Sequence, residues 1–250
     1  MESADAVLSG SATDDYVGSA VIAVPDLYGD GSSALVIGAS GISTVYLIDD
    51  YPFASTRVDS AADTLLLGAE TPESGGAGTS LASAGDLNDN GYTDLLIGAP
   101  GEAADAGRVY VVFGRSQVDF DAFGGTLDLA TWADSEFTGE NSGDAAGTAL
   151  SGIGDQNLDG CDDFIIGAPG VDYEGMSDAG AVYLMLGHPT DMGMGINELA
   201  HLSGSWEGGE LGSDIDGSDD LNGDGFRDLL IGAPSYNDAG AAFVLFGGSL

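Results

Sequence analysis

An acidic loop that runs straight into a short apolar strand constrains the fold of this chain more than any other feature. The fullest copy lies in residues 85–100, where oxygen-bearing side chains occupy positions 1, 3, 5 and 9 of the loop and a glycine occupies position 6. The apolar run at 95–97 ends in Gly-Ala-Pro, which is typical of a buried strand. The loop residues are Asp86, Asn88, Asn90, Gly91 and Asp94.

The same pattern returns at intervals along the chain. Full copies begin at Asp155 and Asp220, and a degenerate copy begins at Asp26. In the degenerate copy Tyr28 stands at position 3 and Ala34 at position 9, so two polar positions are lost. Self-similarity at such spacing indicates a repeat architecture.

The residue types in the full copies predict calcium sites. Hard oxygen ligands at alternate positions around a sharp turn suit Ca²⁺, which takes about 6–8 oxygens, and a backbone carbonyl would supply position 7. Position 12 is Ile97, so the bidentate Glu of an EF-hand is missing. The alternative is that the Asp and Asn side chains only form turns with the backbone. We predict three structural Ca²⁺ sites, held by Asp86, Asn88, Asn90, Tyr92 and Asp94; Asp155, Asn157, Asp159, Cys161 and Asp163; and Asp220, Asn222, Asp224, Phe226 and Asp228.

Composition excludes several functional classes. The net charge is −38, with only 4 basic residues, so nucleic acid is not expected as a partner because phosphate binding needs Lys and Arg. No apolar run is long enough to predict a membrane span. The lone Cys161 cannot form an internal disulfide. The N-terminus lacks the basic and apolar regions of a signal peptide, so we expect any exported form to be a mature one.

Four strands are predicted in each repeat. Strand A is a glycine followed by small residues, the acidic loop leads to strand B, and a hairpin containing Asp-Ala-Gly leads to strand C. A longer connection returns to strand D, which ends in glycine. With 42 glycines and few helical periods, the chain is predicted to be all-β. The expected repeats of a single domain, 1–250, are about 5–63, 64–135, 136–200 and 201–250.

One connection is unusually rich in large apolar residues. At 116–135 it carries Phe120, Phe123, Leu127, Leu129 and Trp132. We predict that these residues pack over the rim of the fold as a cap, in preference to forming a platform for a ligand.

Four antiparallel strands per repeat, arranged radially, predict a β-propeller. The acidic loop joined to Gly-Ala-Pro resembles the FG-GAP repeats of integrin α-subunit propellers and their bacterial relatives. The resemblance covers about residues 5–248 and implies Ca²⁺ on one face of the propeller, in the three full loops. It fails at Tyr28 and Ala34, so no site is expected in the loop at 26–34.

The number of repeats departs from the seven of the integrin-like propeller. Because the chain starts with strand D and ends with strand C, residues 5–10 are predicted to complete the last unit and close a ring of four four-stranded blades. Two chains forming an eight-bladed ring, or a piece of a longer array, are the alternatives. A monomer or a homodimer is therefore expected.

The sequence favours an extracellular or cell-surface module that binds a protein or a glycan, as in adhesion. Partner choice is expected in the hairpin loops 101–107, 170–180 and 235–239. A purely structural repeat of a large surface protein is one alternative. A propeller hydrolase is another, but the only histidines are His188 and His201 and no nucleophile elbow is present, so no enzymatic activity is predicted.

Two carboxylates interrupt strand A of the last repeat. Asp214 and Asp216 lie two residues apart and so share one face of a strand. They could hold a cation near the propeller axis, or be satisfied by water and backbone donors.

Overall fold

Short antiparallel strands dominate the structure, because each repeat alternates apolar residues with tight turns. The computed structural model describes residues 6–49, 56–70, 75–121, 125–189, 197–217 and 219–248. Within them a short strand, β1 (Leu8–Ser9), belongs to a separate two-stranded sheet, and the four larger sheets are called blades 1 to 4 in chain order.

The helices and strands follow the repeats. Blade 1 is built from β2 (Val17–Pro25), β3 (Ser33–Ala39), β4 (Thr44–Ile48), the connecting β5 (Thr56–Arg57) and α1 (Val58–Ala61), and β6 (Thr64–Leu67). Blade 2 is built from β7 (Ser80–Gly85), β8 (Asp94–Ala99), β9 (Arg108–Val112), the connecting α2 (Gln117–Asp121), β10 (Thr126–Asp128) and α3 (Leu129–Trp132), and β11 (Ser135–Thr138). Blade 3 is built from β12 (Ala149–Gly154), β13 (Asp163–Ala168), β14 (Ala181–Leu186) and β15 (Asn197–Ser203). Blade 4 is built from β16 (Ile215–Asp216), β17 (Leu229–Ala233) and β18 (Ala241–Leu245).

The strands of one repeat are antiparallel to their neighbours and follow the chain. The orders are β2-β3-β4-β6, β7-β8-β9-β11 and β12-β13-β14-β15 in blades 1 to 3, and blade 4 has β16-β17-β18 within the described residues. Strand β10, from the connection of blade 2, adds a fifth strand to the sheet of blade 1 by pairing in parallel with β6. The inner strands of successive blades, β2, β7, β12 and β16, pack against one another in that order. The fold is therefore all-β and propeller-like, as predicted. None of the helices in the described part of the chain is long and apolar enough to cross a bilayer.

The hydrophobic core is divided among the junctions between blades. Because side chains alternate along a strand, Leu95 and Ile97 of β8 face blade 1 while Leu96 faces blade 3. The junction of blades 3 and 4 is built in the same way around Ile165 and Ile231. Each blade thus depends on its neighbours for the burial of its apolar faces.

A glycine at the end of the second strand is required at each of the three junctions where two blades meet. A Cβ added at Gly98 would lie 2.2 Å from the carbonyl oxygen of Gly147 on the next blade. The distance is 2.0 Å from Gly38 to Gly78 and 2.1 Å from Gly167 to Gly212. Only glycine permits this approach of two backbones.

The connection at 116–132 packs as a cap on the junction of blades 1 and 2. Phe120, Leu127 and Leu129 are buried in that core, and Arg115 lies over the Trp132 ring at 4.9 Å. The prediction of a packed cap is confirmed for these residues, whereas Phe123 lies outside the described residues.

The predicted ring closure is not found. Strand β1 pairs in parallel with β5, and it does not pair with β18. The physical reason is that Leu8 packs with Tyr46 and Val58 on the outward apolar face of blade 1. Strand β18 therefore has one strand neighbour within the described residues, which is β17.

Candidate functional site

The acidic loops share one edge of the array, because each joins the inner strand of a blade to the second strand. Adjacent loops contact each other directly. The Asp86 amide donates to the Asp162 carboxylate at 2.8 Å, and the Asp162 amide donates to the Asp86 carbonyl at 2.9 Å. Further along, the His188 amide donates to the Leu87 carbonyl at 2.8 Å. The Gln156 side chain in turn donates to the Arg227 carbonyl of the last loop at 3.1 Å, so the three full loops form a row.

Side-chain oxygens at positions 1, 3 and 5 shape each full loop. Asp86 accepts the amides of Asn90 at 3.0 Å and Gly91 at 2.8 Å. Asn88 accepts the Asn90 amide, and Asn90 accepts the Tyr92 amide. The same bonds recur in the loops that begin at Asp155 and Asp220. The side-chain-to-backbone turns that were the alternative to calcium binding are therefore present. The oxygens that form them keep lone pairs that these hydrogen bonds do not use.

The aspartate at position 9 braces the loop against the end of the blade. Asp94 is fully buried, and its two oxygens accept the amides of Leu87 and Gly114, each at 2.8 Å. The carboxylate of Asp163 accepts the amides of Gln156 and Gly187. The carboxylate of Asp228 accepts the amides of Leu221 and Gly247. An acid at position 9 was predicted as a metal ligand, and its structural role as an acceptor for two backbone amides was not predicted.

Burial raises the pKa of Asp94 and Asp163, while their backbone donors lower it. The pKa of Asp94 rises to about 8, with the charges of Asp86 and Asp134 adding to the effect. The pKa of Asp163 rises to about 6 for the same main reason. By contrast, the Gly225 amide holds the pKa of Asp220 below its usual value.

The last loop brings three carboxylates together. One oxygen each from Asp220, Asp224 and Asp228 lies within 4.8 Å of the others, and this is the one such acidic group within the described ranges. Two ligands on opposite sides of a Ca²⁺ ion, each at about 2.3–2.6 Å, are about 5 Å apart, so this spacing fits the ion. Asp220 and Asp224 are exposed whereas Asp228 is buried.

The residues predicted at position 7 contribute to the loops through their backbone. The Cys161 amide donates to the Asp159 side chain at 2.9 Å. In the other two full loops, the Tyr92 amide donates to Asn90 and the Phe226 amide donates to Asp224. The Cys161 thiol is buried, and burial raises its pKa to about 11. The thiol is therefore a core side chain.

The degenerate loop uses its divergent positions for packing. Tyr28 is buried and meets the Phe120 ring edge-on, with 5.1 Å between the ring centroids. Ala34 is buried in the same core. The two positions that would supply ligands therefore face the junction of blades 1 and 2.

A buried carboxylate that the sequence reasoning missed lies at that junction. Glu102 accepts the Ser43 hydroxyl at 3.0 Å and also accepts the Tyr110 hydroxyl. Burial raises the pKa of Glu102, and these two hydrogen bonds oppose that change. Asp214 and Asp216, in contrast, are exposed, with Asp216 in the inner strand β16 of blade 4 and Asp214 just before it.

The similarity of this chain to known proteins includes the acidic loops. The FG-GAP repeat family matches residues 77–112 and 211–245, and each span contains one acidic loop with its following strands. Integrin alpha-5 of Xenopus laevis is 32% identical over 163 residues, which is 60% of this chain and 14% of the relative. Integrin alpha-PS5 of Drosophila melanogaster is 30% identical over 157 residues, with the same shares covered.

Other matches extend beyond the integrins. The human phosphatidylinositol-glycan-specific phospholipase D is 35% identical over 153 residues, which is 60% of this chain and 18% of that protein. Among solved structures, that of BBS1N in complex with ARL6DN, soaked with lead, has a TM-score of 0.50 at 13% identity and covers 97% of this chain and 59% of that one. The structural likeness concerns the fold alone, and the chain spans less than a fifth of these sequence relatives. The chain therefore contains two matched FG-GAP repeats and is similar in sequence to integrin α-subunits.

Proposed function

We propose that this chain is a calcium-binding module that works outside the cell and binds a protein or a glycan. The observation that carries the calcium part is the convergence of Asp220, Asp224 and Asp228 in a loop that lies within a matched FG-GAP span. In this proposal Ca²⁺ has a structural role, and the binding surface lies elsewhere on the blades.

The donor set favours Ca²⁺ over softer metals. The last loop offers carboxylate and amide oxygens from Asp220, Asn222, Asp224 and Asp228, with the Phe226 carbonyl at position 7. A bound cation would offset the repulsion among the three carboxylates and hold the loop against the end of β18, where Asp228 already accepts the Gly247 amide. Affinities of about 10⁻⁴–10⁻³ M, as in extracellular modules, are met outside cells.

The hairpins at 101–107, 170–180 and 235–239 supply the proposed partner surface, because they differ in sequence and length between blades. The similarity to proteins named integrins supports an adhesive role. The similarity to a phospholipase D covers a small part of that enzyme, and His201 packs against the Tyr183 ring at 6.0 Å. We therefore propose binding without catalysis.

Calorimetric titration with Ca²⁺ tests the calcium part. The wild-type chain should bind Ca²⁺ and melt at a higher temperature in its presence, because only the folded state forms the sites. Asp224→Asn should weaken the last site about tenfold, since it removes one ligand charge. Asp30→Asn is the matched control, because it makes the same change in the degenerate loop and should alter nothing. Absence of Ca²⁺ binding at millimolar concentration would refute the proposal.

Screening against glycans and extracellular-matrix proteins tests the binding part. We expect at least one ligand to bind in Ca²⁺ and to dissociate in a chelator, because the hairpins rest on blades that the ion stabilises. A screen with no ligand in either condition would favour the purely structural role.

A further inference from the structure

Arg227 differs from the other arginines of this acidic chain in having no carboxylate partner. The chain has a net charge of −38 and only four basic residues, all of them arginines. The other three each pair with a carboxylate, in the pairs Arg57–Asp59, Arg108–Glu136 and Arg115–Asp134. Across the described ranges, no carboxylate oxygen forms an ion pair with the exposed Arg227 guanidinium. The positive charge of Arg227 is therefore available to an anionic ligand.

Arg227 takes the place that Asp162 has at the preceding junction of blades. Both residues lie at position 8 of their loop, directly before the aspartate at position 9. The Asp162 carboxylate lies over Gly85, the last residue of β7, because a Cβ added there would meet it first. In the same way, a Cβ added at Gly154, the last residue of β12, would lie 3.3 Å from Nε of Arg227. Each side chain thus covers the end of the inner strand of the preceding blade.

The difference between aspartate and arginine at this position leaves one backbone amide without an acceptor. At the junction of blades 2 and 3, the Asp162 carboxylate accepts the Asp86 amide at 2.8 Å. The corresponding amide at the junction of blades 3 and 4 is that of Asp155, and the described part of the chain offers it no acceptor. A guanidinium has only donors, so Arg227 cannot replace the missing carboxylate. A cation and an amide donor therefore lie together where the neighbouring junction has a carboxylate.

The backbone that carries Arg227 is fixed to blade 3. The Gln156 side chain donates to the carbonyl of Ile153 at 2.8 Å and to that of Arg227 at 3.1 Å. The adjacent Asp228 is buried and accepts two backbone amides. Because the loop is already ordered, a ligand at this position would pay little for ordering it.

Arg227 also lines a cavity between the inner strands of blades 1 to 3. The cavity has a volume of 470 Å³. Its wall combines apolar side chains with hydroxyl groups, namely Ile22, Leu81 and Leu150 with Ser83, Thr93 and Ser151. Small-molecule sites typically have volumes of about 300–1,000 Å³, with apolar walls and a few polar groups that fix the orientation of the ligand. This cavity therefore has the size and lining of a ligand site.

We propose that Arg227 and the Asp155 amide bind the carboxylate of a small organic ligand whose apolar body lies in this cavity. The guanidinium would donate two parallel hydrogen bonds to the carboxylate. The Asp155 amide would donate to it as the Asp86 amide donates to Asp162. Two sources have this chemistry, a free branched-chain acid and the apolar C-terminus of a peptide. The site needs neither a bound cation nor the hairpin loops, so it goes beyond the function proposed above.

The charge of the chain favours a carboxylate over a phosphate. A net charge of −38 repels a dianion more strongly than a monoanion. The equivalent place at the preceding junction holds a carboxylate, that of Asp162, so a planar group with two oxygens fits there. Repulsion should still weaken binding at low ionic strength, because distant charges are then poorly screened.

Titration with isovalerate, followed by amide NMR of isotope-labelled protein in about 0.15 M salt, tests the site. The Asp155 amide proton should move to lower field as the acid is added, because it gains a charged acceptor. Isovaleramide, which has the same shape but no charge, should bind about tenfold more weakly or worse. Acetate should also bind more weakly, since it lacks the apolar body. N-acetyl-leucine distinguishes the sources, because tighter binding than isovalerate indicates a peptide C-terminus and weaker binding indicates a free acid.

Substitutions at Arg227 test the same contact. Arg227→Gln should weaken isovalerate binding about tenfold or more and leave the melting temperature unchanged, because the side chain is exposed. Arg57→Gln is the matched control, since it removes the same charge from an exposed arginine paired with Asp59 and should not change the affinity. Arg227→Asp would supply an internal carboxylate, as Asp162 does. It should abolish binding and place the Asp155 amide proton at lower field without any acid.

Four results would overturn the proposal. The first is an Asp155 amide signal that does not move with isovalerate at about 10 mM, which corresponds to very weak binding. The second is equal affinity of wild type and Arg227→Gln, and the third is equal affinity for isovalerate and isovaleramide. The fourth is binding of inorganic phosphate or glucuronate at this amide as tightly as isovalerate, which would show a different ligand class. None of these measurements reports calcium binding, so this site can fail while the calcium proposal stands.

Discussion

Ser43 of blade 1 donates its hydroxyl to the carboxylate of Glu102 of blade 2 at 3.0 Å, across a junction that is otherwise apolar. Glu102 is fully buried, and the Tyr110 hydroxyl donates to its other oxygen. Arg108 lies 3.9 Å away. The charge is thus stabilised by hydrogen bonds and a neighbouring cation in a place where burial disfavours it.

We predict that Glu102→Gln changes the pH dependence of stability. Burial raises the pKa of Glu102 in the folded chain above its ordinary value of 4.5. The folded state therefore binds the proton more tightly, and this contribution to stability is lost as pH rises from 4.5 through the folded pKa. The stability of wild type relative to Glu102→Gln should fall across that window. Denaturant unfolding of both chains at several pH values measures it, and a constant difference would contradict the prediction.

Glu102→Ala should be more damaging than Glu102→Gln. It leaves the hydroxyls of Ser43 and Tyr110 without their acceptor, which costs about 1–3 kcal/mol for each buried group left unpaired. Unfolding at neutral pH compares the two variants. Equal stability of the two would show that the buried acceptor is not needed.

The brace at position 9 should contribute to stability without any metal. In Asp94→Asn the amide nitrogen would face one of the two backbone amides that the carboxylate now accepts. We expect a loss of about 1–3 kcal/mol in the presence of a chelator. Asp89→Asn, in the same loop, removes the same charge at an exposed position with φ of 57°, where Asn is well tolerated. If both variants were equally stable, the brace would have no measurable role.

The three full loops should differ in calcium affinity. The loop at 86–94 has two Asp and two Asn among its ligands, whereas the loops at 155–163 and 220–228 each have three Asp. Ligand charge is one determinant of affinity, and the carboxylates converge in the last loop. We expect three ions per chain, with the tightest at 220–228, the weakest at 86–94 and none at 26–34. Titration of Asp86→Asn, Asp159→Asn and Asp224→Asn assigns each step, and an ion lost from Asp30→Asn would contradict the order.

The junction of blades 3 and 4 contains a cavity that a larger side chain should fill. Leu202, Tyr236 and Phe243 line a space of 160 Å³. Phe137 occupies the position of Leu202 in the preceding blade, two residues before the glycine. We expect Leu202→Phe to stabilise the chain by about 0.5–2 kcal/mol, the range for filling a cavity.

The control for that change is Leu66→Phe, at the same position in blade 1. Leu66 is fully buried in a closed core, so the added volume should cost about 1–3 kcal/mol. Thermal melts of both variants make the comparison. A destabilised Leu202→Phe would show that the cavity cannot accept a ring.

The sequence was sufficient to predict the repeating strands, because their apolar runs and glycines recur at matched positions. Residues 95–97 lie within β8, and the hairpins end at the strands that were expected. The sequence did not show that Asp94 accepts two backbone amides, because a linear pattern does not say which donors surround a side chain. The polar Glu102 could have been noticed, since the same position holds Ile42, Val171 and Tyr236 in the other repeats.

The prediction of ring closure was wrong for a related reason. The resemblance of residues 6–10 to the other fourth strands was informative, since β1 occupies that place beside blade 1. Sequence similarity identifies the kind of strand but does not say which third strand will lie next to it. That choice depends on where Leu8 can be buried, and Tyr46 and Val58 provide the site.

Between blades 2 and 3 the Ala146 amide donates to the Ala106 carbonyl at 3.0 Å, and between blades 3 and 4 the Leu211 amide donates to the Ala179 carbonyl at 3.1 Å. These main-chain bonds place few demands on side chains apart from glycine at the crowded positions. The solvent-facing surface of a blade can therefore change, including by the accumulation of acidic residues, without affecting these main-chain bonds. The same property makes blades interchangeable units. Duplicating or reordering blades at the glycine loops would preserve these main-chain bonds, which is how arrays of different lengths could arise from one repeat.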